Sequence, residues 1–243
     1  NQVALAYYNA IDPNEERRTL SDWLSSLNWD KDDPRDFDGD EAWAIYGNAG
    51  DLDFGREMHL QVWSNPDGDI ATTEPPVIAM YTTNYDNVHD AVLGNGVIAT
   101  VAMEYSPHPV TGGDYYIKFY AYLPDGEPVY SIDLDGNGEK AIPDLCVNCH
   151  GGRPASEADV FSEGGYPDEG RLQNEARFIP YAVETFDYSP APLFSLTAFE
   201  DQFRMLNESL LHTNITPATR AMINGWYGDP EDSAVDDTAL ASI

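Results

Sequence analysis

Five consecutive residues, Cys146-Val147-Asn148-Cys149-His150, contain both cysteines of the chain and one of its 5 histidines. In a C-x-x-C-H string each thiol can add across one vinyl group of a haem, and the adjoining imidazole then stands beneath the iron as its proximal ligand. The spacing therefore predicts one covalent c-type haem held by Cys146 and Cys149, with His150 on the metal. Two other chemistries draw on the same residue types. A dithiol redox pair needs only the two cysteines. A zinc site needs further ligands, and no Cys or His follows until His212.

The flanks extend this reading. Gly151-Gly152 would let the backbone turn sharply beside a porphyrin, where a side chain would collide. Arg153 comes next and could donate charge-assisted hydrogen bonds to a haem propionate, as could Arg56, Arg171 and Arg177 in a chain poor in cations. A surface arginine balancing nearby carboxylates is the competing explanation for each of them.

For the other side of the iron the chain offers Met58, Met80, Met103, Met205, Met222, His59, His89, His108 and His212. Arg56, Met58 and Leu60 share one face of a strand, so a strand presenting Met58 to iron could also aim Arg56 at a propionate, while His59 points the opposite way. The order of candidates is Met58, then His59, then the rest, with five-coordinate iron as the remaining alternative. Methionine ligation raises the reduction potential relative to a second histidine. Core packing is the commoner role of a strand methionine, and a cap that of His212.

A second metal motif is Asp133-Leu134-Asp135-Gly136-Asn137-Gly138 with Asp144 following, which places Asp133, Asp135 and Asn137 at the oxygen-ligand spacing of a calcium loop. It lacks the terminal Glu and the flanking helices, and Asp-Gly-Asn-Gly serves equally as a hairpin turn.

The surrounding chain must position these groups. Its 243 residues, 42% of them hydrophobic, suffice for a sizeable core in one large or two small domains. With 43 acidic against 12 basic residues the formal charge is -31, which repels nucleic acid and anionic membranes and is typical of adaptation to salty surroundings. No stretch reaches the roughly 18 to 20 apolar residues of a membrane span. Asn1 does not open a signal peptide, so the expectation is a processed or excised mature domain, working as a monomeric module. Because covalent haem is attached outside the bacterial cytoplasm, the expected location is periplasmic or extracellular.

Leu20, Trp23, Leu24 and Leu27 recur at helical spacing, predicting an amphipathic helix over 14–28. Residues 30–53 read as an acidic surface loop around a short apolar piece, 42–46. Period-two runs of β-branched and aromatic residues predict five strands at 56–63, 77–83, 97–105, 115–123 and 128–133, joined by short turns that favour antiparallel pairing. Residues 151–192 read as irregular. Thr197 with Glu200 predicts a capping box ahead of a helix through Leu210, and Thr216-Pro217 a second helix ending near Gly225. The expected fold is α+β, with an antiparallel β-rich N-terminal part, then the C-x-x-C-H segment, then C-terminal helices, unlike a small all-α cytochrome c. Residues 1–228 form one haem domain in this reading (β-rich over 50–140, haem motif and helices over 141–228), and 229–243 an acidic tail or linker stub.

The string from Glu139 through Cys146-Val147-Asn148-Cys149-His150-Gly151-Gly152 resembles monohaem c-type cytochrome modules of secreted bacterial proteins. Further similar strings are Asp53-Phe54-Gly55-Arg56-Glu57-Met58-His59, Tyr81-Thr82-Thr83-Asn84-Tyr85, Ala176-Arg177-Phe178-Ile179-Pro180-Tyr181 and Asn224-Gly225-Trp226-Tyr227-Gly228, so the resemblance covers most of 50–228. Some such modules accompany carbohydrate-binding domains and are held to supply electrons to lytic polysaccharide monooxygenases. The resemblance thus implies an electron carrier with a redox partner protein, and adds weight to Arg56, Met58 and His59 near the haem. In relatives the positions of Leu60 and Met80 can be cysteines. Their disulfide is absent here, which makes Met80 look like packing, and the relatives' turn matching 133–138 often lacks the calcium spacing. Two other function classes remain open at this stage. One is a haem peroxidase or small-ligand sensor with an open distal site. The other is a carbohydrate-binding module using Trp23, Trp29, Trp43, Trp63 and Trp226 as a stacking platform.

Overall fold

A computed structural model describes residues 2–29, 41–50, 52–63, 75–110, 112–134, 136–152 and 175–228. Its centre is a five-stranded antiparallel sheet in sequential order, β1 (Glu41–Asn48), β2 (Phe54–Trp63), β3 (Val77–Tyr85), β4 (Val97–Pro107) and β5 (Tyr115–Tyr122). Four of these strands lie where period-two alternation predicts them. The fifth is different. Residues 41–48 form an edge strand instead of the loop expected there, and 128–133 lie outside the main sheet, apart from a single bridge from Pro128 to Tyr122. Only Ser131–Ile132 (β6) of that stretch is strand, paired with Lys140–Ala141 (β7) in a separate ribbon.

Both edges of the sheet are covered, which removes the open backbone that would otherwise template aggregation. On β5 the Phe119 N–H donates to the Tyr7 hydroxyl at 2.8 Å, and the Ala121 N–H to the Tyr8 hydroxyl at 3.3 Å. Those tyrosines belong to α1 (Gln2–Ile11), a helix that the sequence pattern did not announce. On β1 the Trp43 N–H donates to Gln202 Oε1, and Gly47 exchanges two backbone hydrogen bonds with Asp187.

The helix expected over 14–28 is confined to α2 (Leu20–Ser26), because Glu15 takes a positive φ of 59° and Thr19 caps the helix in a reciprocal box with Asp22. A short helix, α3 (Val88–Leu93), joins β3 to β4 and lies against β2 so closely that a Cβ on Gly55 would fall 2.0 Å from the Asn87 carbonyl oxygen. Glycine is required there by contact, not by conformation. After α4 (Asp144–His150) come α5 (Leu196–Ser209) and α6 (Pro217–Tyr227). Ser195, not Thr197, caps α5 by accepting from the Ala198 N–H, so the helix starts one residue ahead of the predicted capping residue. Thr216 caps α6 as its Thr-Pro start requires. The fold class is α+β, and no helix among the described residues is long and apolar enough to cross a membrane.

The sheet separates two layers. One face carries Met58, Leu60, Met80, Met103 and Phe119, with Leu60, Met80, Met103 and Phe119 in one cross-strand row. Tyr46 lies on the same face and packs on Phe186 and on Phe203 of α5. The opposite face carries His59, Tyr81 and Tyr120, packed beneath Trp23 of α2 and Trp29.

Candidate functional site

Helix α4 contains the whole C-x-x-C-H string, and positions 146, 149 and 150 fall three and four apart, on one side of the helix. Val147, between them, is buried and fixes the helix to the core. The two cysteines form no disulfide, and Cys146 is half-buried and Cys149 exposed. Burial, reinforced by Cys149 and Asp144, pushes the Cys146 thiol up to about 12. A dithiol redox centre requires the reverse, a depressed thiol that is thiolate near neutrality. Among the described residues no three His, Cys, Asp or Glu side chains are gathered to hold an ion.

His150 is oriented by a segment far ahead in the chain. Its Nδ1 lies 3.0 Å from the Arg177 carbonyl oxygen, and the Arg177 N–H donates back to the His150 carbonyl at 2.9 Å. A carbonyl can only accept, so Nδ1 carries a proton there, and in the neutral imidazole Nε2 then keeps the lone pair. That tautomer, fixed by a backbone carbonyl, is the one metal-ligating histidines use. Phe119 of β5 flanks the imidazole at 5.5 Å between ring centroids, which sets His150 at the β5 end of the sheet. Gly151 and Gly152 both take positive φ, 69° and 100°, and among the described residues nothing lies within 4 Å of a Cβ built on Gly151. Backbone conformation accounts for both glycines.

Met58 and His59 diverge as strand alternation requires. Met58 is buried on the Phe119 face, where its Sδ accepts from Thr82 Oγ1 at 3.2 Å and lies 3.6 Å from the Tyr181 hydroxyl. The same hydroxyl is 3.5 Å from Met80 Sδ. His59 is buried on the opposite face, stacked on Tyr81 at 4.5 Å, with Trp43 beyond and its Nε2 3.3 Å from Glu57 Oε1. Arg56 is half-buried on the Met58 face. Burial and Tyr46 raise the Tyr181 phenol well above its ordinary value, and the positive charge of Arg56 offsets part of that rise. Leu60 and Met80 are direct cross-strand partners across β2 and β3.

Arg177 donates through Nε to the Asn214 carbonyl at 3.0 Å, committing part of its guanidinium to α5–α6 chain contacts. Arg153, Arg171 and Asp135 lie outside the described residues. In the candidate calcium loop the Asp133 carboxylate accepts the Gly138 N–H at 3.1 Å, an intraloop bond of the kind that closes a turn. Trp23 and Trp29 are core residues, and Trp29 meets Trp63 at 74°, so these three rings form no common plane for a sugar.

The residues fit a haem in chemistry. Two thiols and an imidazole of the ligating tautomer stand on one helix, beside an apolar face that carries thioethers. Phe119, Thr82 and Tyr181 are neighbours that motif reading did not single out. No protein-family model, curated protein or solved structure matches the chain.

Proposed function

We propose that this chain is an extracytoplasmic c-type cytochrome that carries one covalent haem and transfers electrons. The observation that carries the reading is the hydrogen bond from His150 Nδ1 to the Arg177 carbonyl, on the same helix as Cys146 and Cys149. A surface histidine needs no such partner, whereas a ligating one is held in this way. Bound there, the haem supplies a one-electron ferric–ferrous couple. Cys146 and Cys149 would anchor it and His150 would ligate the iron. Met58, on the sheet face that Phe119 shares, is the leading residue for a second ligand. His59 is turned to the opposite face, held by Tyr81 and Glu57.

Asn148, Cys149 and Gly151 are exposed, so a partner can approach the attachment edge directly. A formal charge of -31 favours a partner with a basic docking face and makes the association rate fall with salt. The resemblance to secreted cytochrome modules points to a polysaccharide-oxidising copper enzyme as electron acceptor.

The test is expression with bacterial periplasmic haem-attachment machinery. Haem should stay with the polypeptide through denaturation and acid extraction, and Cys146→Ser with Cys149→Ser should abolish it. Folded protein that never acquires haem under those conditions overturns the proposal.

A further inference from the structure

We propose that Lys118 is a reactive amine at the floor of a separate cavity, where it condenses with a small neutral aldehyde to form an imine, its proton leaving through Ser106. This site is independent of the haem reading, because no residue of the C-x-x-C-H helix lines the cavity.

The cavity, about 340 Å³, lies where the end of α1 and the residue after α2 meet the ends of β3, β4 and β5. Its volume falls within the roughly 300 to 1,000 Å³ of small-molecule sites, which combine apolar walls with a few convergent polar groups. Here Ile11, Leu27, Val77 and Pro107 supply the walls, and Arg17, Glu104, Ser106 and Lys118 the polar groups. The chain has three lysines, Lys31, Lys118 and Lys140. Lysine is almost never fully buried unless paired, yet Lys118 is only 2% exposed.

The partners of this amine are unusual for a structural cation. Among the described residues its Nζ donates to the Ser106 carbonyl at 3.1 Å, to the Ser106 hydroxyl and to the Pro107 carbonyl at 2.9 Å, all of them neutral oxygens. The Tyr116 ring lies 4.6 Å from it. The Glu104 carboxylate is taken instead by Arg17 and by the Ser106 hydroxyl. Burial without a carboxylate in contact disfavours the ammonium, and desolvation beside a second cation is how imine-forming lysines are activated. Burial, opposed by Glu104 and assisted by Arg17, accordingly lowers Lys118 to about 8.

Ser106 Oγ accepts from Nζ and donates to Glu104 Oε1 at 2.6 Å, so a proton leaving nitrogen has a path through the hydroxyl to a carboxylate. Neutral Nζ adds to the aldehyde carbon while the carbonyl π pair moves to oxygen, and transfer of one proton from nitrogen to that oxygen gives a carbinolamine. The C–O bond then breaks, the hydroxyl leaves with the second Nζ proton as water, and the nitrogen pair closes the C=N bond. Amine and aldehyde thus give imine and water, with no oxidant or reductant. A neutral ligand fits best, since Arg17 is committed to Glu104, and both Asp12 carboxylate oxygens accept backbone N–H groups.

The experiment treats the folded full chain with propanal and cyanoborohydride, which reduces an imine to a stable secondary amine, and maps the propylated lysines by mass spectrometry. Lys118 should label about tenfold or more faster than Lys31 and Lys140 at neutral pH, because a larger fraction of it is unprotonated. Its rate should rise with pH through about 8, with Glu104, Arg17, Asp12, Glu16, His108 and Tyr116 as the charged or titratable groups around it. Ser106→Ala keeps the amine and should slow labelling several-fold, whereas Lys118→Met should leave only Lys31, Lys140 and the α-amino group to label. Labelling that spares Lys118 in the folded protein, or reaches it only in urea, or proceeds at the wild-type rate in Ser106→Ala, overturns the proposal.

Discussion

Replacing Glu104 by Gln should cost about 3 to 5 kcal/mol, because it removes one partner of a buried charge cluster and strands the others. Glu104 is only 2% exposed. Its carboxylate accepts from Arg17 Nε at 2.9 Å, from Arg17 Nη2 at 3.3 Å and from Ser106 Oγ at 2.6 Å. Lys118, its cross-strand partner and also 2% exposed, gives its N–H groups to the Ser106 carbonyl and hydroxyl and the Pro107 carbonyl. Burial pushes the Glu104 carboxyl up, but Lys118, Arg17 and the Ser106 hydrogen bond together outweigh it and hold the group below the ordinary range. Glutamine keeps the volume and loses the charge. In a chain of this size the loss corresponds to a fall of about 6 to 20 °C in melting temperature. Urea titration of wild type, Glu104→Gln, Lys118→Met and the double variant measures it, and the double variant should recover part of the loss because the stranded buried cation is gone. A group whose folded value is depressed contributes stability above its unfolded value and loses it as pH falls through the folded one. The gap between wild type and Glu104→Gln should therefore close as pH drops below the ordinary glutamate value of 4.5 and on through the lower folded value. A single-variant loss under about 1 kcal/mol, or strictly additive losses in the double variant, would refute the reasoning.

Lys118 makes an opposite, alkaline prediction. Burial, with Arg17 adding to it and Glu104 opposing, lowers its ammonium from 10.5 to about 8, so the unfolded chain binds the extra proton between those values. Wild-type stability should gain from this group as pH rises from about 8 to 10.5, and the gain should vanish in Lys118→Met when melting is followed across that window. Tyr7→Phe leaves the buried Phe119 N–H without its 2.8 Å acceptor and should cost about 1 to 3 kcal/mol, with faster hydrogen exchange at the Phe119 amide. Unchanged exchange there would contradict the edge-covering role of α1. Gly55→Ala places a Cβ 2.0 Å from the Asn87 carbonyl oxygen and should destabilise by about 1 to 3 kcal/mol or more in urea titration. A neutral effect would mean that α3 is not docked on β2 as described.

Four of the five sheet strands were legible because their signal is local, an alternation over seven or more positions, and the C-x-x-C-H string is likewise local. Strand β1 was not, since its residues 42–46 are mostly small or buried on both sides and show no alternation. The stretch 128–133 has strand composition, yet the β5 edge beside it already hydrogen-bonds to Tyr7 and Tyr8, so the sheet ends there. α1 carries no acidic residue in its first turn and no basic residue in its last, and those are the marks by which helices are read from sequence. At the candidate site, strand alternation alone placed Met58 and His59 on opposite faces. The partners of Met58 were beyond reach because Tyr181 meets it across a sequence separation of 123 residues. The Arg177 carbonyl was hidden for a different reason, since backbone groups leave no trace in residue identity.

The central claim is tested most directly by the intact mass of the denatured protein after secretion through a host with haem-attachment machinery. The account predicts a polypeptide heavier by one haem, and no such species once Cys146 and Cys149 are both serine. A folded wild-type protein at the bare polypeptide mass, with its two thiols still free, would contradict it.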